Sequence, residues 1–274
     1  MNAAPIDASD VLTMNRIGLF DSGVGGLTIW REVVRVLPHH DLVYFADQAH
    51  CPFGSRSPEE IRLLSQRATE LLLTHGTQLI VVACNTASAA ALDHLRSTFP
   101  QIPIVGMEPA IKPAIAESRT RKIGVLATPG TFSGALFART SARFSDDATI
   151  IPQTVKGLVE KIERGEIGSA ETEQLLRRSI EPLIEAGVDE IVLGCTHYPF
   201  VAPLIRQIVG DHIALVDPSA AVAAQVARVV DARGWRTDSH HSARYRFLTS
   251  GDPQAFARIM EKLIGYRGSI EPVV

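Results

Sequence analysis

Short apolar runs alternate with helix-like stretches along nearly the whole chain, and this alternation constrains the fold more than any single residue does. The runs lie at Arg16 to Phe20, Leu42 to Ala46, Leu79 to Ala83, Ile102 to Gly106, Lys122 to Ala127, Glu190 to Gly194 and Ala214 to Val216. Between them, Gly26 to Val36, Pro58 to His75, Thr86 to Thr98, Gly168 to Ala186 and Ala221 to Ala232 carry helical spacing. Continuous β-branched runs separated by helices are the pattern of parallel strands buried on both faces, with helices covering each side. Tyr245 to Thr249 adds a further strand, and Asp252-Pro253 predicts the start of a last helix, with Asp as cap and Pro in the first turn.

Composition narrows the function classes. With 274 residues and 46% hydrophobic content, the chain has material for two ordinary domains. A net charge of −3 gives no general drive toward nucleic acid or a membrane surface. Three scattered cysteines do not make a disulfide framework and fit a reducing compartment. Met1 to Asn15 contains Asp7 and Asp10 and no apolar core, so it reads as a disordered tail (1–15) and not as a signal peptide. No run approaches the roughly 18 apolar residues that span a bilayer, and a cytoplasmic location is expected.

An internal repeat organises the rest. Ile17-Gly18-Leu19-Phe20-Asp21-Ser22 leads into a glycine turn, and Ile123-Gly124-Val125-Leu126-Ala127-Thr128-Pro129-Gly130 does the same. A nearly equal stretch of chain later, each half presents an aliphatic run closed by a cysteine: Leu79-Ile80-Val81-Val82-Ala83-Cys84 and Ile191-Val192-Leu193-Gly194-Cys195. The repeat predicts two similar α/β domains about a pseudo-twofold axis, residues 16–107 plus 219–274 and residues 108–218. Ligands of open parallel sheets sit beyond the carboxyl ends of the strands, which puts one sulfur on each wall of an interdomain cleft.

The residues around these strand ends are the candidates for chemistry. Asp21-Ser22-Gly23-Val24-Gly25-Gly26-Leu27-Thr28 is a turn between strand and helix that could bind an anion, or could simply be a capped turn; it matches neither a Walker loop nor the dinucleotide fingerprint. Cys84-Asn85-Thr86-Ala87-Ser88 enters a helix, a position that favours thiolate. Cys195-Thr196-His197-Tyr198-Pro199 sets an imidazole two residues beyond the sulfur, where it could orient the thiol or move its proton. Cys51, in a loop with no buried strand behind it, reads as incidental. Local spacing offers no metal site, and His39-His40 and His240-His241 read as exposed.

On these motifs the chain resembles the glutamate racemases of the aspartate/glutamate racemase superfamily. The resemblance runs from Ile17 to about Leu263, through the glycine turn, Pro52-Phe53-Gly54-Ser55-Arg56-Ser57, both cysteine segments, Val216-Asp217-Pro218-Ser219 and Thr249-Ser250-Gly251-Asp252-Pro253. It implies a cofactor-independent enzyme that interconverts L- and D-glutamate for peptidoglycan synthesis, with a homodimer as the expected assembly. Cys84 and Cys195 become the acid/base pair, with Asp21, His197 and Glu163 as assisting catalytic groups. Substrate contacts map to Asp21, Ser22, Phe53, Gly54, Asn85, Thr86, Thr196 and His197. Two departures stand out: Phe53 replaces the family's usual tyrosine, and Val155-Lys156 replace a frequent Cys-Pro. A racemase acting on aspartate or another small acid, a hydrolase using Cys195 and His197, and a binding protein on the same scaffold are the competing readings.

Overall fold

In the computed structural model of the protein, residues 15–108, 110–144 and 146–273 are described; the expected tail lies almost wholly outside them. Their strands are β1 (Arg16–Asp21), β2 (Leu42–Ala46), β3 (Thr77–Val82), β4 (Ile104–Gly106), β5 (Lys122–Ala127), β6 (Thr149–Thr154), β7 (Glu190–Gly194), β8 (Ala214–Val216), β9 (Tyr245–Thr249) and β10 (Ile270–Pro272). Their α-helices are α1 (Leu27–Val36), α2 (Pro58–Thr74), α3 (Asn85–Thr98), α4 (Ile111–Glu117), α5 (Pro129–Phe132), α6 (Ala135–Arg143), α7 (Leu158–Glu163), α8 (Ala170–Glu185), α9 (Ala202–Val209), α10 (Ser219–Ala232) and α11 (Pro253–Ile264).

Two sheets form, and every strand pair in them is parallel. The larger runs β10-β9-β2-β1-β3-β4 and the smaller β6-β5-β7-β8. Counted from its own first strand, each half of the chain has the order second-first-third-fourth, so the sequence repeat reappears as a repeated topology. The two elements after the second set, β9 and β10, return to widen the first sheet.

Both faces of each sheet are covered, which is why the strands read as unbroken apolar runs. In β3, Leu79 and Val81 belong to a core that includes Val33 of α1 and Val226 of α10, while Ile80 and Val82 join Leu64 of α2 and Leu95 of α3 in another. In β7, Ile191 and Leu193 pack with Leu176 and Ile180 of α8, and Val192 with Ile111 and Ala114 of α4. Period-two side-chain alternation thus divides one aliphatic run between two cores.

Asp252 caps α11 through Gln254 N–H at 2.8 Å and Ala255 N–H at 3.3 Å, with Pro253 in the first turn, as the Asp-Pro pair predicts. The histidine pairs need correction. His40 is buried, its Nε2 3.1 Å from the Trp235 carbonyl, and His241 pairs with Asp41 at 2.8 Å.

Candidate active site

Every candidate residue except Glu163 sits at the carboxyl end of a strand, Asp21 as the last residue of β1 and the others in the loop or helix start that follows a strand. In both sheets the order reverses at the first and third strands, β1/β3 and β5/β7, the crevice where ligands of such folds bind. Ser22 follows β1, Phe53 and Gly54 follow β2, and Cys84, Asn85 and Thr86 follow β3. Thr128 follows β5, and Cys195, Thr196 and His197 follow β7. One cavity is lined by all ten of these residues, together with Pro52 and Val159.

The glycine turn is shaped by what approaches it from the other half. A Cβ at Gly23 would lie 1.9 Å from Glu163 Oε1, and one at Gly25 would lie 2.3 Å from His197 Nδ1. Only glycine permits that approach. Tyr44 donates its hydroxyl to the Gly23 carbonyl at 2.7 Å, fixing the turn from below. Of the two readings of this turn, anion site or capped turn, the chain itself supplies a carboxylate there, since Val24 N–H donates to Glu163 Oε1 at 2.7 Å, and Asp21 accepts from Gly23 N–H at 3.0 Å.

The two sulfurs are both buried, yet their surroundings differ. Cys84 is the N-cap of α3 and accepts from Ala87 N–H at 3.4 Å, with the Ser22 hydroxyl 3.9 Å away. The helix start alone predicts a thiolate. Burial, followed by the Asp21 carboxylate, instead pushes the Cys84 thiol up, and the Ala87 N–H offsets only part of that. Asp21 is itself fully buried and burial raises its pKa. Its hydrogen bonds come from Gly23 N–H at 3.0 Å and from the Thr196 hydroxyl at 3.2 Å.

Cys195 stands beside an imidazole and a carboxylate. Its Sγ is 3.8 Å from His197 Nδ1, and His197 Nε2 is 2.6 Å from Glu163 Oε1. Burial works against charge on His197, but hydrogen bonds with Cys195, Cys51 and Glu163 outweigh it and raise its pKa well above the ordinary range. Glu163 is held low despite its own burial, mainly by His197 and by the N–H of Val24. Cys84 has an acid-favouring pocket; Cys195 has a charged pair.

The sequence profile of the Asp/Glu/hydantoin racemases matches residues 27–226. The chain belongs to that family. A glutamate racemase of Roseiflexus sp. strain RS-1 is 49% identical over 248 residues, which cover 90% of this chain and 91% of the relative. Among solved structures, a glutamate racemase isoform of Bacillus anthracis superposes with a TM-score of 0.88 at 30% identity, covering 96% of this chain and 98% of that one. A glutamate racemase of Francisella tularensis, solved in complex with D-glutamate, gives 0.85 at 26% identity over the same shares of the two chains. The reaction class is therefore amino-acid racemisation, an isomerase activity.

In the racemase several contributing residues carry no sequence signal of their own. Thr128 and Thr131 meet the Thr86 hydroxyl at 2.7 and 3.2 Å, a three-hydroxyl cluster across the two halves. Thr128 was visible only as the repeat counterpart of Ser22. Gln48 donates to Glu163 Oε2 at 3.0 Å and accepts from Thr249 at 3.0 Å. Cys51, read from the sequence as incidental, stands beside the site: its sulfur, a Glu163 carboxylate oxygen and a His197 ring nitrogen lie within 4.8 Å of one another. Burial pushes its thiol up to about 12. Among the described residues Asn85 Oδ1 is buried without a hydrogen-bond partner. Phe53 is fully buried in the core beside Phe20 and Leu64.

Proposed function

We propose that the racemase interconverts L- and D-glutamate by two-base proton transfer at Cα, with Cys84 and Cys195 serving opposite faces. The observation that carries this is the pairing of the two cysteines at equivalent third-strand ends, both bordering one cavity. The names of the relatives and the D-glutamate held by the Francisella enzyme favour glutamate as the substrate. The domain division is 16–107 plus 219–274 against 108–218, so each domain contributes one sulfur.

The reaction needs one group to take the Cα proton and another to return a proton on the far side. Cys84, kept as a thiol by burial and Asp21, is the donor for the enantiomer whose proton Cys195 removes. The next turnover from the product runs the roles in reverse. His197 and Glu163 hold and orient a proton beside Cys195, while Asp21 sets the proton affinity of Cys84. The substrate ammonium is the group expected to satisfy Asn85 Oδ1. Hydroxyls of Ser22, Thr86 and Thr196 and the N–H groups at the start of α3 take the α-carboxylate and the charge that develops at Cα. Phe53 supplies no hydroxyl, leaving the Gly54 backbone as the polar contact of that loop.

The role in peptidoglycan synthesis, a cytoplasmic location and a homodimer are part of this reading, carried by the family resemblance. Among the described residues no helix is long and apolar enough to cross a membrane. Incubation of L-glutamate, L-aspartate and other L-amino acids in D2O, with Cα deuteration followed by NMR, tests the substrate. Exchange of glutamate well ahead of the others is expected; exchange of aspartate or another amino acid in its place would overturn the assignment.

A further inference from the structure

Cys51 has no task in the proton transfer, yet its sulfur lies in the cluster with Glu163 and His197. The three come from separate segments: the loop after β2, the end of α7 and the loop after β7. Their ligand atoms are all within 4.8 Å of one another, with Glu163 Oε1 2.6 Å from His197 Nε2. We infer that this thiol, carboxylate and imidazole form a binding site for a borderline divalent cation, Zn2+ above all, that reversibly switches the racemase off. The inference rests on the roles proposed above for His197 and Cys195.

The donor chemistry is the first support. One sulfur, one ring nitrogen and one carboxylate oxygen suit Zn2+ and not the oxygen-seeking Mg2+ or Ca2+. Zinc takes sulfur at about 2.3 Å and nitrogen or oxygen at about 2.0 to 2.2 Å, so tetrahedral ligands stand roughly 3.3 to 3.6 Å apart. The present spacings bracket those values. The Glu163–His197 pair, at 2.6 Å, must open by less than about 1 Å, and the sulfur, no more than 4.8 Å from either partner, must close by at most about 1.5 Å, movements within reach of side-chain rotation.

Preorganisation is the second support. Metal ligands are usually held by hydrogen bonds from a surrounding layer, and Glu163 already has them, from Val24 N–H at 2.7 Å and from Gln48 Nε2 at 3.0 Å. The other ring nitrogen of His197 faces Cys195 at 3.8 Å, which leaves Nε2 as the metal-facing atom. Binding releases two protons to solvent, one from the Cys51 thiol and one from the His197 ring, and a water completes four-coordination.

The cation would displace the proton that His197 Nε2 shares with Glu163, so the imidazole could no longer pass a proton between Glu163 and Cys195, although Nδ1, the atom facing Cys195, keeps its N–H. It would also tie the Cys51 loop of one sheet to α7 beside the other, holding the cleft in one arrangement. Inhibition follows from both effects, with no contact between zinc and either of the sulfurs assigned to Cα.

The test uses the full chain and two probes. Racemisation is titrated with ZnCl2 and then with EDTA, each protein being compared with its own metal-free rate. Zinc should inhibit the wild type, EDTA should restore it, and Cys51→Ser should raise the half-inhibiting zinc concentration more than about 10-fold. Cobalt(II) gives a readout free of turnover. A thiolate-to-cobalt charge-transfer band should form in the wild type and in the Cys84→Ser/Cys195→Ser double variant, and should be lost in Cys51→Ser. Absence of zinc inhibition, inhibition unchanged in Cys51→Ser, or a band that follows Cys84 or Cys195 would overturn the proposal. A chain that binds cobalt through Cys51 but does not racemise glutamate would contradict only the substrate reading.

Discussion

The two halves of the molecule share a strand order and differ at the sulfur. Cys84 and Cys195 each follow the third strand of a second-first-third-fourth sheet. Cys84 faces the start of α3 and a buried carboxylate that raises its pKa, whereas Cys195 faces His197 and, through it, Glu163. A repeated strand order therefore delivers two sulfurs to one cavity, and their different neighbours set a buried carboxylate near one and an imidazole–carboxylate pair beside the other.

The largest expected effect breaks the pair outright. Cys84→Ala and Cys195→Ala should each lower kcat by on the order of 10⁴-fold, the upper end for positioned proton transfer, while thermal unfolding stays cooperative and within a few degrees of the wild type. Near-normal turnover in either variant would remove the equivalence of the two sulfurs. His197→Asn attacks only the Cys195 side and should cost on the order of 10²-fold in kcat/KM. A steady-state comparison in both directions should find equal losses in kcat/KM, because the equilibrium constant fixes their ratio.

A subtler change sharpens the difference between the halves. Burial and Asp21 both hold Cys84 in its thiol form as pH rises, so kcat/KM should fall on the alkaline side only beyond the ordinary thiol range. Asp21→Asn removes a negative charge that opposes ionisation of Cys84. The Cys84 pKa then drops, and the alkaline limb should move to lower pH by up to about one unit. A limb that stays still, or moves up, would mean that Asp21 does not act on Cys84. Phe53→Tyr is the smallest expected effect: KM for glutamate should fall by up to about 10-fold with kcat nearly unchanged, the range of one added hydrogen bond.

The sheets were legible because burial on both faces writes itself as uninterrupted aliphatic sequence, and β2, β5, β7, β8 and β9 fall where the runs end. The strands missed, β6 and β10, lie at sheet edges. Pro152 and Pro272 are tolerated there and erase the usual signal. Short helices such as α7, with six residues, leave too few turns for a periodicity. In the site, each cysteine announced itself by closing a buried run, and the repeat supplied its counterpart.

What stayed hidden depends on contacts between distant segments. Gln48 and Cys51 lie three residues apart in one loop but more than a hundred residues from Glu163, and no local spacing links that loop to it. Thr128 was present in the repeat with no role of its own; in the fold it caps α5, accepting from Thr131 N–H at 3.3 Å, and also meets Thr86. Burial changed the electrostatics as well: a helix start predicts a Cys84 thiolate, and the enclosing core with Asp21 reverses that preference.

The most direct test of two sulfurs sharing one Cα is the isotope content of both enantiomers at early times. With L-glutamate and enzyme in D2O, mass spectrometry after less than about a tenth of the substrate has turned over should find the D-product carrying deuterium at Cα and the remaining L-substrate still carrying protium. The proton would have left to one thiol and the deuteron arrived from the other. Protium retained in the product, or deuterium appearing equally in both pools from the outset, would mean that a single base serves both faces.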